Sequence, residues 1–409
     1  MNFIAVIIFA AIVCSGLLEL YLERRQMASV AAHKDRVPAA FAQQLTLEEH
    51  RRAADYNIAR ARLSVAQKSF DTVLALAWLA VFLGPAYRLV AYLVPAGLSR
   101  SVAVVLFIAA IGYLLDLPFT IMRTFRLEAR FGFNRMTPGT FVVDALKGIA
   151  LQLALGIPLL YGFFAVERAI PGIWWLVSWA GFMVIMLAMI VIYPTFIAPL
   201  FNKFTPMPDT PLKAQIEALL QKCGFESKGL FVMDASKRST HGNAYFSGLG
   251  KAKRIVFFDT LLQKHDEPEI LSILAHELGH FKFGHIREKL VESSVLTFVV
   301  FAVLAWAFAG GLANAFGLPG DPGLVLVIVM FAMGPFAQLL SPLTNFLSRR
   351  AEFQADGFAK GMFGPQPMIS ALTKLSRDNL ATLTPDRLYA LFYYSHPPVP
   401  ERIAHLESA

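Results

Sequence analysis

Seven long apolar runs constrain this chain more than any other feature. A helix needs about 20 mostly apolar residues to cross the hydrocarbon core of a bilayer. Runs at roughly 2–20, 70–94, 100–120, 142–166, 172–197, 291–315 and 322–346 reach or approach that length. No charged residue falls between Ala169 and Asn202, between Ser293 and Gly320, or between Pro322 and Ser348. The run at 142–166 carries Asp144 and Lys147 in its first turns, and the run at 100–120 carries Asp116. Composition agrees: 56% of residues are AVILMFWYC and only 16% are charged, against about 25% charged in a soluble domain. The expected fold class is therefore an all-α multi-span membrane protein with seven transmembrane helices. The first run has no Lys or Arg ahead of it, so it reads as an uncleaved span rather than a signal peptide.

The net charge of +8 raises the question of nucleic acid. Its distribution answers as a topology signal instead. Of the 37 Lys and Arg, 33 fall in four segments, after runs one, three, five and seven, and only Arg100 and Arg168 lie in the alternate segments. Positive charge marks cytoplasmic loops. The expectation is an N-terminus outside, a C-terminus in the cytoplasm and no nucleic-acid partner. The organisation that follows is a membrane region at 1–197, a cytoplasmic segment at 198–290, two further spans at 291–346 and a cytoplasmic tail at 347–409. Within 198–290, Pro211–Cys223 is amphipathic, Leu230–Asp234 is strand-like, and Asn243–Gly248 with Arg254–Asp259 reads as a β-hairpin. From Pro268 to the sixth span the pattern is helical.

His276-Glu277-Leu278-Gly279-His280 lies in that helical stretch. At about 100° per residue, His276 and His280 stand one turn apart on one face. Two imidazoles so placed can share one tetrahedral zinc, with Glu277 beside them as general base for water. Such a site takes a third protein ligand and leaves a fourth position open. His285, nine residues after His276, would face the opposite way on a continuous helix and reads as an interfacial histidine. Glu288 and Glu292 would lie about 12 and 18 Å along the axis from His280, out of reach. Asp259 and Glu267 remain candidates. So does the i,i+4 pair Glu352 and Asp356, one carboxylate on the metal and the other on the free N–H of a ligand imidazole. Cys14 and Cys223 have no partners at metal-ligand spacing, which excludes a Cys-based zinc site.

His276–His280, the run Arg349–Asp356, and Tyr394-Ser395-His396-Pro397-Pro398 with Arg402 together resemble the membrane zinc proteases of the CAAX prenyl protease type I family. Asn243-Ala244-Tyr245-Phe246, Lys253–Leu262 and Phe131-Gly132-Phe133-Asn134 are similar to further blocks of that family. The resemblance implies helices enclosing a water-filled chamber, with one zinc per chain at its cytoplasmic side and a small zinc-protease domain containing the hairpin. It implies His276, His280 and Glu352 as zinc ligands, Asp356 behind them, Glu277 as base and His396 steadying the oxyanion. Asn243, Ala244 and Tyr245 would bind the substrate backbone. Arg402 would pair with a carboxylate of the site or of the substrate. The implied reaction removes the C-terminal tripeptide from prenylated CAAX peptides. Two rival functions are an HtpX-like quality-control protease acting on non-prenylated substrates, and a non-enzymatic transporter or scaffold with Asp116, Asp144 and Lys147 along its path. Very short external loops lead to the expectation of a bacterial inner membrane.

Overall fold

The computed structural model describes residues 2–227, 229–247 and 254–408. Among them, seven helices are long and apolar enough to cross a membrane. Five come first: α1 (Phe3–Ala32), α2 (Leu47–Leu93), α3 (Leu98–Glu128), α4 (Pro138–Ala169) and α5 (Trp174–Phe201). A polar segment then supplies α6 (Pro211–Lys222) and α7 (Glu267–Lys282). The last two spans are α8 (His285–Ala309) and α9 (Pro322–Phe363), and the tail adds α10 (Pro365–Asp378), α11 (Arg387–Tyr393) and α12 (Val399–Glu407). Local sequence explains where these helices begin. Thr46 and Glu49 form a reciprocal capping box, Thr137 accepts from the Thr140 N–H ahead of Pro138 in the first turn, and Asp321 accepts from the Gly323 N–H beside Pro322. Each cap satisfies an N–H that the helix itself leaves without a partner.

Two spans extend well beyond their apolar runs. α2 starts at Leu47 rather than near residue 70, because Ala53 and Tyr56 in its polar first half pack against Leu127, Phe131, Phe133 and Leu380. α9 is a single helix of 42 residues that passes through Pro335 and Pro342 and continues past Ser348. It rises out of the membrane and carries the Arg349–Asp356 run with it. A tight bundle of seven would bury its central helices on every side. Here 44% of the apolar window of α9 is buried and none of that of α5, as fits helices ranged around an open interior. Polar side chains within the spans bond to one another. Arg123 donates to Gln67 at 2.6 Å, Gln67 to Asp116 at 2.7 Å, and Lys68 to Glu23 at 2.9 Å. Asp144 pairs with Arg238 at 2.8 Å and Lys147 donates to the Leu200 carbonyl at 2.8 Å, so each of the charges that a transport path would have used is tied to a partner.

The polar segment folds on a sheet of β1 (Phe204–Pro206), β2 (Leu230–Met233), β3 (Ala244–Ser247) and β4 (Arg254–Phe258), in the order β1-β2-β4-β3. β3 and β4 are antiparallel, with Tyr245 opposite Val256, while β2 and β4 run parallel. The turn that the sequence places at 248–253, with Lys253, lies outside the described residues. Pro206 is tolerated in β1 because the strand sits at the sheet edge, where a missing N–H breaks no ladder. Ile255, Phe257, Ile270, Leu274 and Leu278 form one fully buried core with Ile216 of α6 and Ala359 of α9. Each large apolar side chain so buried contributes about 1.5–3 kcal/mol. A second core joins Phe41 and Leu45 to Leu372 of α10 and Leu406 of α12. The 198–290 segment and the tail are thereby one packed body.

Candidate metal centre

The site is built where α7 crosses α9. Asp266 caps α7 in a reciprocal box with Glu269. Ile270, Ile273, Leu274 and Leu278 anchor its apolar side in the core shared with the sheet. His276, Glu277 and His280 are left facing α9 and the space beside it. Gly279 sets how close the two helices come. A Cβ there would stand 3.0 Å from Ala355 Cα and 3.3 Å from the Ala355 carbonyl oxygen, tighter than ordinary carbon contact of about 3.5–4.0 Å. The hydrogen of glycine lets the backbones meet, and the meeting puts Glu352 and Asp356 against the histidines.

His276 Nε2 and His280 Nε2 are 3.2 Å apart. Glu352 closes the triangle, with Oε2 3.4 Å from His276 Nε2 and Oε1 3.3 Å from His280 Nε2. The edge of a tetrahedron with zinc–nitrogen arms of about 2.0–2.1 Å is about 3.3–3.4 Å, so the three donors fit a tetrahedral metal. Glu352 Oε2 is buried without a hydrogen-bond partner among the described residues, as a ligand atom aimed at a cation would be. His276, His280 and Glu352 also form the group of potential metal ligands found among the described residues.

Behind His276, its Nδ1 lies 2.9 Å from Asp356 Oδ1. Arg402 grips the same carboxylate in two-pronged fashion, Nε donating to Oδ2 at 2.8 Å and Nη2 to Oδ1 at 2.6 Å. Arg402 is buried, and its guanidinium also stands 3.7 Å from Glu352. Of the two partners expected for it, a site carboxylate is the one it holds. Burial works against a charge on His276, but the carboxylates of Asp356 and Glu352 outweigh that and push it up to about 9. Burial raises the Glu277 carboxyl above its ordinary range. His396 approaches from the tail, Nε2 3.3 Å from Glu352 Oε1, and its Nδ1 lies 3.0 Å from the Ser395 hydroxyl. Desolvation beside the site lowers its pKa below the ordinary histidine value.

Glu277, His280 and Glu352 line one end of a cavity of about 1010 Å³. Tyr245 and Phe246 of β3 form another wall, and Met189 and Tyr193 of α5 line its membrane side. Among the described residues β3 ends the sheet order, with no strand paired to its outer edge. Ala244 and Tyr245 lie in that strand. Asn243 just precedes it, its side chain accepting from the Ala244 N–H and its carbonyl from the Phe258 N–H. The alternative ligands sit elsewhere. Asp259 accepts from the Ser236 N–H, and Glu267 from Gln215.

One expectation fails. The helix carrying His276 does not continue through His285. α7 ends at Lys282, Gly284 takes the left-handed φ of 75°, and α8 begins at His285. The break turns His285 inward, where it is buried 2.9 Å from His280 Nδ1 and bonds Gln354 at 2.8 Å. A glycine in the left-handed position just after a helix is a common stop, and that signal was present in Lys282-Phe283-Gly284. A second feature missed from sequence is the seat of His396. Arg349 donates to the carbonyls of Tyr394 at 2.8 Å and Ala390 at 3.3 Å, and Asn345 to that of Phe392 at 2.7 Å. The helix that carries Glu352 thus also holds the backbone leading into His396.

Comparison with known proteins gives a consistent result. Residues 26–203 match the family described as CAAX prenyl protease N-terminal, five membrane helices, and residues 206–409 match peptidase family M48. CAAX prenyl protease 1 of Saccharomyces cerevisiae is 34% identical over 422 aligned positions, covering 95% of this chain and 92% of that protein. A CAAX prenyl protease 1 homolog of Oryza sativa subsp. japonica is 41% identical over 298, covering 72% of this chain and 70% of the homolog. The crystal structure of S. mikatae Ste24p superposes with a TM-score of 0.92 at 30% identity, covering 99% of both chains.

Proposed function

The chain belongs to the CAAX prenyl protease branch of peptidase family M48, a multi-pass membrane metalloprotease, and on that premise we propose that it uses zinc to remove the C-terminal tripeptide of prenylated CAAX peptides. The observation that carries the reading is the triangle of His276, His280 and Glu352 donors, 3.2–3.4 Å on each edge, beside Glu277 on a cavity walled by an edge strand. Zinc held there would act as a Lewis acid toward the scissile carbonyl and ease deprotonation of water. Glu277 takes the proton of the attacking water and later delivers it to the leaving amine. Its burial-raised pKa makes it a stronger base than an exposed glutamate. His396 Nε2 stands 3.3 Å from Glu352 Oε1, a carboxylate oxygen that only accepts, so the ring carries a proton on Nε2, facing the site. That N–H donates to the carbonyl oxygen as negative charge develops. Asp356, fixed by Arg402, accepts from His276 Nδ1 and keeps Nε2 free for the metal. The substrate lies as an added strand on β3, with Asn243, Ala244 and Tyr245 at its backbone.

The cytoplasmic placement of the 198–290 segment and tail, with the N-terminus outside, rests on the 33 basic residues in the four segments after runs one, three, five and seven. In a Cys-free variant, an impermeant thiol reagent on intact cells should label a cysteine at Pro171 but not at Asp55 or Ser408; labelling at Ser408 reverses the orientation. The bacterial inner membrane expected from the short outer loops finds no support in the curated relatives named above, which are eukaryotic. The substrate is tested with matched CAAX peptides, prenylated and bare, offered to purified protein in detergent. Selective loss of the tripeptide from the prenylated member supports the reading; equal cleavage of both would remove the prenyl group from it.

A further inference from the structure

The two metal-facing histidines are held from behind by different means. His276 leans on a carboxylate, Asp356. His280 leans on His285, which leans in turn on the amide of Gln354. The directions of these bonds can be deduced. Gln354 Oε1 lies 2.8 Å from His285 Nε2, and a carbonyl oxygen only accepts. His285 therefore carries its proton on Nε2. A neutral imidazole has one such proton, so His285 Nδ1 is a bare lone pair. The 2.9 Å contact between the two Nδ1 atoms is then a hydrogen bond only when His280 donates. With its proton on Nδ1, His280 presents an unprotonated Nε2 to His276 Nε2 and Glu352 Oε1, 3.2 and 3.3 Å away.

We infer that Gln354 and His285 are positioning residues for the metal: an uncharged relay that fixes the tautomer and ring direction of His280. The inference rests on the reading of His276, His280 and Glu352 as the ligands. The fold assembles the relay from two features, the left-handed turn at Gly284 that swings His285 inward and the approach of α9 that brings Gln354 alongside. Gln354 is exposed at the cavity wall, so replacing it removes the acceptor without opening the core.

The experiment is zinc affinity, measured by chelator competition on the purified full chain, for Gln354→Met, His285→Phe and the two combined. An acceptor that works through His285 has nothing to act on once His285 is gone. Each single variant should bind zinc about 10–100-fold more weakly, the usual penalty for losing the partner of a ligand imidazole. The double variant should match His285→Phe. Wild-type affinity in Gln354→Met overturns the relay, as does a double variant weakened by the full product of the two single effects. Glu352→Ala and His280→Ala serve as references. If they lose zinc while Gln354→Met keeps it, the relay alone is wrong. If they keep zinc, the ligand assignment is wrong and the relay falls with it.

Discussion

Gly279→Ala adds one methyl group at the crossing of α7 and α9, and its consequences follow from three distances. The new carbon would sit 3.0 Å from Ala355 Cα, 3.2 Å from Phe358 Cβ and 3.3 Å from the Ala355 carbonyl oxygen. Two of those neighbours are backbone and cannot rotate away, so relief requires α9 to retreat by about 0.5–1 Å to restore ordinary contact. Overpacking of this kind costs about 1–3 kcal/mol. Alanine returns about 1 kcal/mol through its better helix propensity. The net loss of stability is thus small, about 0–2 kcal/mol by the same two terms. The metal site is less forgiving. Ligand distances tolerate about 0.2 Å, and Glu352 rides on the helix that moves. Zinc affinity should fall at least about 10-fold, and kcat/KM by about 100-fold for a displacement near 1 Å. The assays are chelator competition, cleavage of a CAAX peptide and thermal unfolding. Gly361→Ala on α9, whose added carbon would meet nothing within 4 Å, is the control: it should leave zinc affinity and turnover unchanged and raise stability by no more than about 1 kcal/mol, the helix-propensity gain alone. A Gly279→Ala protein with wild-type zinc affinity and turnover would refute the claim that this crossing sets the ligand geometry.

Other perturbations separate the roles of single groups. Glu277→Gln keeps the shape and removes the base, so turnover should drop about 100–10,000-fold with zinc content unchanged; near-normal turnover in the zinc-loaded variant excludes Glu277 as base. Arg349→Ala frees the carbonyls of Tyr394 and Ala390 and loosens His396, so kcat should fall while KM and zinc content stay near wild type; an equal fall in His396→Ala and in its Arg349→Ala double would show both acting on one step. Zinc affinity should depend on pH through His276, which holds its proton up to about 9 in the metal-free protein. Its pKa is raised, so the proton competes with the metal below that value. Affinity should rise about tenfold per pH unit from pH 7 toward 9 and then level off, and a pH-independent affinity would contradict the ion pair of His276 with Asp356.

What the sequence made legible, and what it hid, divides by the range of the interactions involved. The seven spans were readable because a bilayer demands an unbroken apolar run and nothing distant alters that demand. Their true ends were not. Residues 47–69 are too polar to register as a span yet continue α2, and α9 carries on beyond Ser348 because its last turns are buried at Ala355 and at Ala359, which joins the core of the sheet and α7. His276, Glu277 and His280 stood out through helical spacing alone. Glu352 is 72 positions from His280, and its arrival depends on Gly279 meeting Ala355, a packing event with no local signature. The misplacement of His285 has a different origin. Gly284 announced a helix stop, but the apolar run beyond it invited one continuous helix. The chain breaks there because Gly284 takes a left-handed φ of 75°, and α8 starts afresh with His285 beside His280. Arg402 was legible as a partner for a carboxylate. That the carboxylate is Asp356 follows from α12 packing against α10, through Leu406 and Leu372, which no pattern in the last residues reveals.

The central claim is that Glu352, delivered by a membrane helix, completes a zinc site with His276 and His280. Zinc bound per chain, measured by atomic emission on wild type and Glu352→Ala purified side by side, tests it most directly. The account predicts one zinc per wild-type chain and nearly none in Glu352→Ala, with both proteins helical by circular dichroism. Stoichiometric, tightly held zinc in Glu352→Ala would contradict it.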